Sequence, residues 1–143
     1  MTSKLEELKE RLKKSLENAN NILQLKARIE DDISSVLDIL KELTSNSIDY
    51  KICENEPMVF LFKDCKRLVY IKKKSDESYG SNLILLGFSI NESTGYPMQL
   101  ETDSEFFECK SVDEMKETLA YIIDKKSIEI MKLISEDNSH VPF

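Results

Sequence analysis

The run LEELKERLKKSLENANNILQLKARIEDDISSVLDILKEL, residues 5–43, contains neither Gly nor Pro, and neither residue type occurs before it. Nothing in it punctuates a helix. Read in sevens from Leu5, the a positions are Leu5, Leu12, Ala19, Lys26, Ile33 and Leu40, and the d positions are Leu8, Ser15, Ile22, Ile29, Val36 and Leu43. All but Lys26 and Ser15 are apolar, which is the seam of a coiled coil. The pattern predicts a long amphipathic, coiled-coil-like helix over residues 1–46.

The flanks of the seam change along its length. Lys4, Lys9 and Arg11 border the first part, whereas Leu23, Leu25, Leu37 and Ile39 widen the later stripe. A narrow seam suits one partner helix, and a wide stripe suits a helix lying on a sheet. The expectation is therefore an outer part, residues 1–20, that self-associates, and an inner part, residues 21–46, that packs on the chain's own core. Leu5, Leu8, Leu12, Leu16, Ala19 and Ile22 are the candidate association residues. Lys26 and Ser15 would help set register, and Asn18, Asn20 and Asn21 are poor helix formers at which the helix could break.

Beyond the helix, Ser45-Asn46-Ser47 is turn chemistry and strand signals follow. Asp49–Cys53 alternates, Met58–Phe62 is continuously apolar, and Leu68–Ile71 leads into Lys72-Lys73-Lys74. Asp64-Cys65 would turn a hairpin between the latter two. Asn82–Ile90 reads as the most buried, central strand. Thr94-Gly95 then turns into a strand at Tyr96–Leu100, where Pro97 favours an edge or a strand start. Asp103-Ser104 turns into Glu105–Cys109. Ser111 and Glu114 form a capping box, after which Val112, Met115, Leu119, Ile122 and Ile123 line one helical face. Asp124–Ser127 would kink that helix before Ile128–Ile134. The order predicts an α+β protein with an antiparallel sheet of about five strands and a C-terminal helix or helix pair. Residues 47–136 would form that body and 137–143 a fraying tail.

The net charge of −7 is unevenly spread: residues 1–48 sum to −1, residues 49–74 to +3, and residues 75–143 to −9. An acidic whole argues against general affinity for nucleic acid. No apolar run approaches the roughly 20 residues that span a bilayer, and the charged opening predicts no secretory leader. Three cysteines, an odd number, fit a reducing cytoplasm.

Chemistry is sparse. His140, in the tail, is the one histidine available as a base for Cys53, Cys65 or Cys109, so no catalytic residue is assigned. Those cysteines lack knuckle spacing, so neither a metal site nor a cofactor is expected. Three isolated glycines, Gly80, Gly87 and Gly95, cannot write a phosphate loop, and Gly87 inside an apolar strand marks a bulge or close packing. Glu101, Asp103, Glu105 and Glu108 crowd the last hairpin and would hold a divalent cation only if the strand ran unbroken. Lys63, Lys66, Arg67, Lys72, Lys73 and Lys74 on successive strands are candidate ligands for an anion. The leading expectation is a non-enzymatic homo-oligomer that inhibits or escorts a partner protein, of a kind found in bacteria or phages. The alternatives are a binder of an anionic metabolite or nucleotide on the basic strands, and a metal-dependent hydrolase using the acidic hairpin.

Overall fold

Ser3 opens the first helix, its Oγ accepting from the Glu6 N–H at 3.1 Å. In the computed structural model, which describes residues 3–55, 62, 64–74 and 82–135, helix α1 then runs as 40 residues from Lys4 to Leu43. That is about 60 Å at 1.5 Å per residue. It passes through Asn18, Asn20 and Asn21 without a break. Each Asn costs only up to about 0.7 kcal/mol relative to Ala, too little to interrupt a helix bounded by strong formers. It ends as expected, at residues whose side chains tolerate the left-handed region: Ser45 and Asn46 have φ of 53° and 60°, and the Asn46 N–H donates to the Lys41 carbonyl at 2.8 Å.

Five antiparallel strands follow: β1 (Ile48–Glu54), β2 (Arg67–Lys73), β3 (Asn82–Asn91), β4 (Gly95–Glu101) and β5 (Phe106–Cys109). They form one sheet in the order β1-β2-β3-β4-β5, so every strand pairs with its neighbours in the chain and β3 is central. Of the expected strand Met58–Phe62, all but Phe62 lies outside the described residues. Phe62 stands in a turn at φ 64°, with the Cys65 N–H donating to its carbonyl at 2.8 Å. Asp64-Cys65 is not a hairpin turn into β2, because β1 and β3 take both edges of that strand. Pro97 falls where its missing donor matters least. It lies outside the β5 pairing and beside the register irregularity opposite Ser89 and Asn91.

Alternation gives the sheet two unlike faces. Val69, Ile71, Leu86, Phe88, Met98, Leu100 and Cys109 join Ile29, Ile33 and Leu37 of α1 in the main core. The rest of that layer is helix α2 (Val112–Lys125), giving Met115, Leu119 and Ile122, and helix α3 (Ser127–Ser135), giving Ile130 and Leu133. The break between α2 and α3 falls at Lys126, as expected. The capping box forms with one difference. Ser111 Oγ accepts from the Glu114 N–H at 3.2 Å, but the Glu114 carboxylate accepts from the Lys110 N–H rather than from Ser111. On the opposite face, Phe62, Cys65 and Leu68 form a smaller cluster with Tyr70 and Ile84.

Candidate functional site

The two halves of α1 have opposite surroundings. Ile29, Ile33 and Leu37 are buried in the core, with Leu25, Val36 and Leu40 packed against it. From Ser3 through Asn21 every residue is exposed, and Leu25 is the first to meet the core. Leu5 is 78% exposed, Leu12 63%, Leu16 73% and Leu8 39%. Ala19 is exposed too, and Ile22 is half-buried. Five of the six expected association residues therefore lie on the exposed segment that projects from the body, and Ile22 stands at its inner edge. Leu23, expected to pack on the sheet, is 64% exposed and continues the outer stripe seven residues after Leu16. Its spacing from Leu16 was the available signal. Ile39 is also exposed, since the sheet takes only a strip centred on Ile29, Ile33 and Leu37.

A seven-residue repeat drifts about 20° per heptad on a straight helix. The outer leucines are thus turned by roughly 60° from the buried strip three heptads later. Lys4, Lys9 and Arg11 edge the stripe, while Glu6, Glu7, Glu10, Lys13, Lys14 and Glu17 occupy the far side. The one polar residue on the outer seam, Ser15, gives its hydroxyl proton to the Arg11 carbonyl at 3.1 Å, which suits it to an apolar layer. Covering such a surface is worth roughly 2 kcal/mol for each leucine fully buried.

The basic residues are dispersed. Lys66 donates to Glu92 at 2.7 Å, and this contact holds the Glu92 carboxyl below the usual carboxylate range. Arg67 grips Glu30 of α1 with two bonds of 2.9 Å. Lys72 faces Asp49 across the β1–β2 ladder. Burial opposes ionisation of Asp49, but the Tyr50 N–H and the Lys41 ammonium prevail and lower its pKa. Lys66 and Arg67 stand at one end of β2 and Lys72, Lys73 and Lys74 at the other, about 17 Å away at 3.3 Å per residue. Lys63 lies outside the described residues. The structure does not bring the other five together.

The acidic hairpin is divided in the same way. A turn at residues 102–105 breaks the alternation that would align Glu101, Asp103 and Glu105. Asp103 pairs with Lys126 at 2.9 Å and Glu105 with Lys125 at 3.1 Å. Glu101 accepts from the Cys65 thiol at 3.4 Å. Among the described residues no three His, Cys, Asp or Glu side chains are grouped to hold a metal ion. Cys53, Cys65 and Cys109 are free thiols, and the two buried ones are pushed up, Cys65 to about 12 by burial and by the Glu101 carboxylate and Cys109 by burial. His140 lies outside the described residues, as does the expected tail.

The fold is thus α+β: one long helix, a sequential five-stranded antiparallel sheet and a C-terminal helix pair on one face. No protein-family model, no curated protein and no solved structure matches the chain. Among the described residues no helix is long and apolar enough to cross a membrane.

Proposed function

We propose that this chain is a non-enzymatic, self-associating binding protein of the cytoplasm that engages a partner protein and inhibits or escorts it. One observation carries the reading. The outer half of α1 stands clear of the body with Leu5, Leu12, Leu16 and Leu23 bare to solvent, a contiguous apolar stripe of the kind that marks an interaction surface. A helix held in the core at one end and free at the other presents that stripe in a fixed orientation, so little ordering entropy opposes docking.

Native mass spectrometry of the protein purified gently from its host tests this directly. The expected result is a multimer carrying a second protein, and a lower oligomeric mass for the double variant Leu5→Glu, Leu12→Glu. A monomer with no protein adduct at tens of micromolar would overturn the proposal. A small anionic adduct lost on charge reversal at Lys72, Lys73 and Lys74 would replace it with ligand binding.

A further inference from the structure

We propose that the outer half of α1 pairs with the same segment of a second copy, antiparallel, about a centre between Lys13 and Lys14. This rests on the self-association reading above and adds the identity, direction and register of the occupant.

Three observations carry it. The first is steric. The a/d strip that faces outward before Leu25 is, within the drift of the repeat, the strip that faces the chain's own sheet after it. Two copies joined in parallel register would have to place both bodies between their inner halves. Joined antiparallel, each inner half runs past the other copy's helix start, and its body sits beyond the pair. The second is charge. A parallel pair brings each g residue against the e residue five positions on in the other chain, which sets Lys4 against Lys9 twice. In the antiparallel pair Lys9 instead lies beside Leu16 and Arg11 beside Asn18 of the second copy, so those like charges separate.

The third is length. The helix begins at Lys4 and its first core contact is Leu25, so the free segment is Lys4–Gln24 and its midpoint is Lys14. Antiparallel packing sets a against d, which gives the layers Leu5 with Ile22, Leu8 with Ala19 and Leu12 with Ser15 of the second copy. Their common midpoint lies between Lys13 and Lys14. The heptad phase allows such centres at intervals of half a heptad, and the edge of the body selects this one. Each helix start then reaches the β3–β4 hairpin of the other copy, where Gly95 lies against Leu25 and Ile29.

Spin labels distinguish the outcomes. Glu6 and Lys13 share heptad position b, so their lateral offsets are alike. In a Cys53→Ser background, Glu6→Cys and Lys13→Cys are labelled separately, and mass and interspin distance are measured by light scattering and dipolar spectroscopy. The antiparallel pair places the two Glu6 sites about 22 Å apart along the axis and the Lys13 sites nearly level, at 1.5 Å per residue. The expected result is a dimer whose Glu6 distance exceeds its Lys13 distance by roughly 10 Å. Equal distances would overturn the antiparallel orientation and leave self-association standing. A dimer with no dipolar coupling at either site would overturn pairing through α1. Monomeric mass at every concentration would overturn the self-association reading itself.

Discussion

Gly87 lies in the central strand beneath Cys65 and Phe62, and a Cβ built there would stand 2.9 Å from the Cβ and Sγ of Cys65 and 3.1 Å from the Cβ of Phe62. Asn55 fixes that covering segment, its Nδ2 donating to the carbonyls of Phe62 at 2.8 Å and Cys65 at 2.9 Å. Gly87→Ala should therefore cost about 1–3 kcal/mol by overpacking, read as a lower urea midpoint at unchanged slope; an unchanged midpoint would mean that the segment yields freely. Cys65 adds a pH dependence. Above the ordinary thiol value of 9.0 the unfolded chain loses this proton, while the native thiol keeps it to about 12. The native state then binds more protons than the unfolded one, so stability is full below about pH 9 and declines as pH rises towards 12. Cys109 is shifted in the same direction, so Cys65→Ala should flatten the decline between pH 9 and 11 without abolishing it. Urea titrations across that range, wild type against variant, check the sign.

Among elements, α1 is the one whose sequence is most explicit: no Gly or Pro, a sustained repeat, and a stop at Ser45-Asn46 whose backbone takes the left-handed region. The flanks of its seam change from Lys and Arg beside the exposed leucines to Leu nearer the stretch that packs on the core. What the repeat could not fix was how wide the buried strip is, so Leu23 and Ile39 were assigned to the sheet and are exposed. The hairpin turn expected at Asp64-Cys65 misled for a different reason. Phe62 adopts positive φ in a turn closed by Cys65 and held by Asn55, and no local residue pattern reports that tie. The basic strand patch was read from neighbours in sequence, whereas the carboxylates that engage Arg67 and Lys66 arrive from α1 and the β3–β4 hairpin. If the halves of α1 are energetically separate, the Leu5→Glu, Leu12→Glu double variant should lose oligomeric mass while its monomer keeps a cooperative unfolding transition and a native far-ultraviolet spectrum. Loss of cooperativity would place those leucines in the fold of the body.

Taken as a whole molecule, the charge imbalance along the chain is partly settled within the fold. Arg67 and Lys66 of the positive middle segment bind Glu30 and Glu92, and Lys126 binds Asp103 and Glu129. The order β1-β2-β3-β4-β5 has a consequence for time rather than for stability. Each strand finds its partner in the adjoining stretch of chain, so pairing the sheet closes only short loops, and loop closure is what makes non-local contacts slow. The distant closures bring α1 onto β4, α3 onto β2, and α2 onto α1 across the whole sheet. Folding should accordingly gather the strands first and seat the long helix last. Ile71→Val in β2 should slow refolding, while Ile33→Val in α1 should mainly speed unfolding; the two arms of a chevron plot separate these, and equal φ-values would contradict the order. A helix seated last is also a helix synthesised first. While the ribosome is still making the sheet, the leucines of α1 are already outside it, so the pairing proposed above would let two copies meet before either body exists.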